Sequence, residues 1–335
     1  MKAKSWILVI VAALLLILGL ASHRQSQERL KEVNWEELSK PFAGKEEVLE
    51  SGNPSQRIAV LKVEGTIADT GNSSSLQGPG YRHQEVLDQI ADLKEDDSVK
   101  ALLLVVDSPG GTTYHSQELY RALKDLKDDR QLPIYVSMGS MAASGGYMIS
   151  MAGDKIFADN NTTTGSIGVI MSSLNVKDFM DEHGFKMEVY KSGDQKDMGS
   201  PFKDASDEEK KIFDGLIKES YDEFVRIVAD GRGMEEDQVR KLADGRVYSG
   251  KQAKDNGLID EMGYQADALA ALKKDQSLEE AEVVDVTPKA SEMDSILGLF
   301  SKSLDLKSVI PNWESIQGQA LHQNTPQAYY LYGGV

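Results

Sequence analysis

The run from Val99 to Asp107, VKALLLVVD, is apolar almost without interruption. A strand hydrophobic on both faces must be covered on both faces, as in a parallel sheet flanked by helices. The surrounding chain repeats that logic. Arg57 to Ala68 alternates as a first strand, and His83 to Lys94 places Val86, Leu87, Ile90 and Leu93 at helical spacing. Ser116 to Leu126 carries Leu119, Leu123 and Leu126 on one helical face; Pro133 to Met138 and Lys155 to Ala158 read as further strands. Strand–helix alternation of this kind predicts an α/β domain with a mostly parallel sheet.

Between two of these elements lies Met141-Ala142-Ala143-Ser144-Gly145-Gly146-Tyr147. One serine sits where a strand turns into a helix, among small residues. Such a turn can expose a hydroxyl at a helix N-terminus, where backbone N–H groups favour developing negative charge. It also suits a tight connection that needs small residues only for packing. The G-x-S-x-G elbow pattern is not met, because Ala142 stands at its first glycine.

The chain has 335 residues, with 37 Lys and Arg against 54 Asp and Glu, for a net charge of −17. Nucleic acid is therefore not an expected partner, since its recognition needs a basic face. The absence of cysteine excludes disulfides, zinc–thiolate and iron–sulfur sites, and a thiol nucleophile. Residues 5–22 carry no charge; at ~1.5 Å per residue they reach about the thickness of a bilayer core. Residues 1–24 are expected to be a cytoplasmic tip and a transmembrane signal anchor contacting membrane lipid, with the body extracytoplasmic. A cleaved signal peptide is the competing reading, since Gly19-Leu20-Ala21 offers small residues, but the apolar run is long for one. Residues 25–56 read as a polar linker, 57–289 as the folded domain and 290–335 as a tail.

Past the sheet-forming region, Thr164 to Ile170 reads as a Gly/Ser turn running into a strand, and a second strand at Met187 to Tyr190 leads to the loop Lys191 to Asp197. Ser206-Asp207-Glu208-Glu209 forms a capping box opening a long helix. Its stripe is Ile212, Phe213, Leu216, Ile217, Tyr221, Phe224, Val225 and Val228, and Gly231-Arg232-Gly233 ends it. The terminus Tyr329 to Val335 is apolar, aromatic and free of charged side chains. It is expected to dock, either on the outer surface or in a substrate groove as an inhibitory or self-processed peptide.

Histidine is the usual base for a serine nucleophile. His23, His83, His115, His183 and His322 all read as solvated surface residues. No H-E-x-x-H, phosphate loop or dinucleotide fingerprint is present, so no metal and no cofactor is expected. A neutral lysine can replace histidine. From the residues alone Lys196 is one candidate, with Ser166 as a hydroxyl partner, among many basic residues.

The runs Asp107 to Gly111, Ser140 to Tyr147, Thr164 to Val169, Lys191 to Asp197 and Ala243 to Tyr248 occur in the order found in the signal peptide peptidase A family of Ser–Lys peptidases, which residues 57–275 resemble. The chain resembles the short Gram-positive form. The resemblance implies a crotonase/Clp-protease-like spiral of βα units. It implies Ser144 as nucleophile, Lys196 as general base, Ser166 hydrogen bonded to the lysine amine, and the backbone N–H groups of Gly111 and Gly145 as oxyanion hole. It also implies a ring- or dome-shaped homo-oligomer, octameric, with serine and lysine from neighbouring subunits, and peptide substrates such as signal-peptide remnants. Two alternatives share the fold: a crotonase-type acyl-CoA enzyme and a non-catalytic membrane scaffold.

Overall fold

A computed structural model of the protein describes residues 46–69, 81–288 and 329–331. The expected anchor at 5–22 lies outside them, as do most of the linker and of the tail. Among the described residues no helix is long and apolar enough to cross a membrane.

One sheet carries the domain. Its strands run in the order β1 (Glu47–Glu50), β10 (Ala281–Asp285), β2 (Asn53–Glu64), β3 (Val99–Ser108), β5 (Ile134–Ala143), β6 (Lys155–Ala158) and β9 (Glu261–Met262). All these pairings are parallel except β1 on β10. The sheet thus begins at Glu47, inside the stretch read as linker, because β1 finds an open edge at β10.

Both faces of the central strands are buried, as the apolar run of β3 requires. Ala59, Leu61, Leu102 and Leu104 enter the larger core, whereas Ile58, Val60, Ala101 and Leu103 enter the smaller one. Neighbours along a strand point to opposite faces, so an uninterrupted apolar run is what two coverings demand. On the larger side lie residues of α1 (His83–Glu95), α2 (Thr113–Arg130), α3 (Gly145–Ser150) and the C-terminal half of α5 (Asp207–Arg232). On the smaller side, Ala268 and Leu272 of α8 (Gln265–Gln276) complete the packing.

The long helix α5 opens on the expected capping box. Ser206 accepts from the Glu209 amide, Glu209 returns a bond to the Ser206 amide, and Gly233 closes the helix in the left-handed conformation. Its stripe is only half used. Phe224, Val225 and Val228 are buried, but Ile212 and Leu216 are exposed in the single chain.

The segment after β7 (Thr163–Gly165) departs most from expectation. No strand forms at 187–190; Met187, Val189 and Tyr190 are exposed, as are Leu174, Phe179 and Phe185. Only the short helix α4 (Lys177–Glu182) interrupts this stretch. The apolar residues are legible in the sequence, but among the described residues they pair with no strand.

Candidate active site

Strand β5 ends at Ala143, and Ser144 turns the chain into α3. Ser144 has φ 55° and ψ −118°, a conformation favouring glycine over residues with a side chain. Its amide donates to the Gly165 carbonyl at 2.7 Å, and its carbonyl accepts from the Met148 amide at 2.9 Å. The residue is therefore held from both sides in a strained turn. Such strain, of order 1–3 kcal/mol, persists only where surrounding structure fixes it, and it clusters at active sites.

Ser166 stands one residue beyond β7, whose Gly165 is the register partner of Ala143. Adjacent parallel strands thus bring Ser144 and Ser166 to the same end of the sheet. Ser166 also has positive φ, at 50°, and donates its amide to the Arg246 carbonyl at 2.8 Å. That carbonyl immediately precedes β8 (Val247–Ser249), which pairs antiparallel with β7. The Asp244 to Tyr248 run therefore supports the Ser166 turn from behind, and Tyr248 packs on Gly165.

The Gly110–Gly111 turn abuts the Ser144 turn. A Cβ on Gly110 would lie 2.6 Å from the Gly145 nitrogen, and one on Gly145 would lie 3.2 Å from the Gly110 Cα. A Cβ on Gly111 would meet the Ile67 carbonyl oxygen at 1.8 Å. Gly110 and Gly111 are required by close backbone approach, Gly110 also by its φ of 100°, whereas at Gly145 the obstacle to a Cβ is the Ser116 Oγ, 2.3 Å away. Two side chains unassigned in the sequence hold the turns. Asp107 Oδ1 accepts from the Met141 amide and Ser140 Oγ, each at 2.9 Å, and Ser108 Oγ accepts from the Gly110 amide at 3.1 Å. Their proximity in sequence to the glycine motif was the available signal.

Lys196 makes no hydrogen bond to Ser144 or Ser166 among the described residues. It lies exposed in the turn after Gly193, and its amine makes no hydrogen bond or ion pair among the described residues. The neighbouring Asp197 is instead clamped by Lys191 at 2.9 Å and Lys203 at 2.8 Å. Hydrogen bonds from those amines hold its carboxyl down at about 2.

The terminus reaches this site. β11 (Tyr329–Leu331) pairs antiparallel with β4 (Gly110–Thr112), Tyr330 opposite Gly111. On its other side Tyr329 exchanges two backbone hydrogen bonds with Ile170, at 2.9 and 3.1 Å. The point 2.6 Å from the Gly145 nitrogen that a Gly110 Cβ would occupy lies 1.9 Å from the Tyr330 carbonyl oxygen. The Tyr330 side chain is fully buried. Its ring meets Phe224 edge-on at 4.9 Å, and its hydroxyl donates to the Ser220 carbonyl at 2.8 Å and accepts from Gln117 at 3.0 Å. Burial raises that hydroxyl's pKa to about 12.

One histidine departs from the surface reading. His83 is 4% exposed, because Tyr81, His115 and Glu118 close over it.

The family profile described as "Peptidase family S49" matches residues 126–279, and that of "Clp protease" matches residues 81–164. A provisionally named signal peptide peptidase SppA of Enterococcus faecium is 38% identical over 353 aligned residues, covering 100% of both chains. A provisionally named protease of Methanocaldococcus jannaschii is 38% identical over 62% of this chain and 68% of its own. The chloroplastic serine protease SPPA of Arabidopsis thaliana is 29% identical over 74% of this chain and 37% of its own. A parallel-rich α/β sheet with a serine at a strained strand-to-helix turn, together with these similarities, defines a serine peptidase. The chain belongs to peptidase family S49.

Proposed function

We propose that this peptidase is a membrane-anchored endopeptidase that cuts extended apolar peptides, such as remnants of cleaved signal peptides, with Ser144 and Lys196 as a dyad. Residues 5–22 anchor it to lipid with the body outside the cell. The observation that carries the peptide-cleaving reading is the pose of Tyr329–Leu331 between β4 and Ile170. An extended segment paired on both sides is how a groove presents a peptide bond, with backbone hydrogen bonds supplying affinity and a side-chain pocket supplying preference. The pocket here is filled by an aromatic residue.

The unprotonated amine of Lys196 takes the Ser144 proton as Oγ attacks the peptide carbonyl. The Gly111 and Gly145 amides stabilise the oxyanion, each such donor contributing roughly 10²–10³ in rate. The protonated amine then donates to the leaving nitrogen, and water releases the acyl group from Ser144. Ser166 hydrogen bonds the amine between these transfers.

Lysine and serine come from neighbouring copies in a ring or dome. Two features support this. Lys196 is exposed and unpaired in one chain, and the residues around it in sequence leave Phe185, Tyr190 and Phe202 at the surface, alongside the uncovered Leu216. An apolar exposed stretch of this extent marks an interaction surface. A head-to-tail interface that closes generates a ring with one shared site per junction. In this reading the tail is a product-like inhibitor, or a segment the enzyme processes itself.

The decisive experiment mixes two inactive full-length variants, Ser144→Ala and Lys196→Ala, by co-expression. Shared sites give back activity at about a quarter of junctions, where a wild-type serine meets a wild-type lysine. Activity from Lys196→Ala alone rules out this lysine as base. Two variants dead alone and dead together rule out sharing.

A further inference from the structure

A cluster of ligating side chains lies outside the peptidase machinery. One ring nitrogen each from His83 and His115 and a carboxylate oxygen of Glu118 all lie within 4.8 Å of one another. His83 comes from the first turn of α1, and His115 and Glu118 from the first two turns of α2. We propose that His83, His115 and Glu118 bind a divalent transition cation of the zinc class beside the Gly110–Gly111 turn.

Two imidazoles and one carboxylate form a donor set suited to zinc and its neighbours, with the remaining coordination position left to water. The outer contacts fit as well. His83 Nδ1 is 2.8 Å from the Tyr81 hydroxyl, and His115 Nδ1 is 2.7 Å from the Thr112 hydroxyl. Both rings are thus held at Nδ1, which leaves Nε2 of each to face the cation; a hydrogen bond from the second ring nitrogen is the usual partner of a ligating histidine. With the cation on Nε2, which lies 2.8 Å from Glu118 Oε2, Nδ1 of His83 would be the donor to the Tyr81 oxygen. Glu118 keeps one oxygen for the cation while the other accepts from the Tyr114 hydroxyl at 3.0 Å.

His115 and Glu118 are only half-buried, so an ion can reach them. A plain His–Glu hydrogen bond would account for His83 alone. It would not account for a second ring set edge-on at 4.6 Å, with its own Nδ1 fixed and its Nε2 unused among the described residues.

The position gives the ion a consequence. Thr112 caps α2, orients His115, and pairs with Tyr329 in the peptide groove. A bound cation would tie α1 to this cap and stiffen the groove wall next to Gly111.

The test is titration of the chelator-treated full-length protein with Co²⁺, followed by displacement with Zn²⁺. It reads stoichiometry and the visible absorption of bound Co²⁺, so it stands apart from the peptidase dyad. The expected result is one Co²⁺ per chain, displaced by Zn²⁺ and lost in both His115→Ala and Glu118→Gln. Tyr81→Phe should weaken the affinity by roughly 10–100-fold, as loss of an outer hydrogen bond does. His183→Ala, remote in sequence, should leave binding intact. Absence of Co²⁺ binding to the wild type, or undiminished binding in His115→Ala and Glu118→Gln, overturns the site.

Discussion

The amide of Ser144 is tied to the carbonyl of Gly165 at 2.7 Å, one residue before Ser166. The serine turn and the Ser166 turn are therefore linked directly: both positive-φ residues follow the paired ends of β5 and β7.

Ser144→Gly removes the proposed nucleophile and the conformational penalty together. The variant should lose all activity, yet gain about 1 kcal/mol of stability, part of the strain being offset by glycine's entropy. For a domain of this size that is a rise of roughly 2–4 °C in Tm. Thermal unfolding checks it; an unchanged or lower Tm means Ser144 is not strained.

Gly110→Ala puts a methyl group 1.9 Å from the Tyr330 carbonyl oxygen and 2.6 Å from the Gly145 nitrogen. It should lower kcat/KM at least ~100-fold, comparable to losing an oxyanion donor, while leaving far-UV circular dichroism unchanged. Full activity in this variant would remove the two turns from the reaction.

Tyr330→Ala empties the buried pocket against Phe224, Gln117 and Ser220. An aromatic edge contact is worth ~0.5–1.5 kcal/mol beyond its buried area, so apolar peptide substrates should show a KM lower by roughly tenfold at constant kcat. Steady-state kinetics on a fluorogenic peptide reads this directly, and an unchanged KM would show that tail and substrate do not compete.

Asp260 makes a two-pronged pair with Arg232, at 2.7 and 2.9 Å, and accepts from the Ile156 amide at 2.8 Å. Burial opposes its charge, but the Arg232 hydrogen bonds win and lower its pKa. As pH falls, the unfolded chain takes up this proton first, so the contribution is full above about pH 4 and is lost as pH drops through the folded-state value. Asp260→Asn should cost roughly 2 kcal/mol at neutral pH, with the gap to wild type narrowing below pH 4. Denaturant melts across pH 3–7 test it; a gap independent of pH would exclude the carboxylate's charge as the cause.

The parallel sheet was legible because β3 is apolar on both faces, and the turns at Gly110–Gly111 and Ser144 because glycine and serine gather where strands stop. The α5 capping box was legible for the same local reason. Other features were not. The side chains at 187–190 look like strand residues, yet Met187, Val189 and Tyr190 are exposed and form no strand, and periodicity carries no record of whether an edge is available to pair with. Lys196 is a solvated lysine by every local measure. His83 opens a helix, but its burial depends on Glu118, 35 positions away in sequence, and spacing carries no trace of that contact. The tail's apolar character announced docking, but not the register of Tyr330 on Gly111.

The pairing of β11 with β4 and Ile170 bears on solubility. A peptide groove is two bare strand edges facing each other, and bare edges recruit any extended chain, including unfolding neighbours. Tyr329–Leu331 covers the edge of β4, and Tyr329 also bridges to Ile170. The protein thereby supplies its own gatekeeper strand, and a copy trimmed of its terminus should be the one that precipitates.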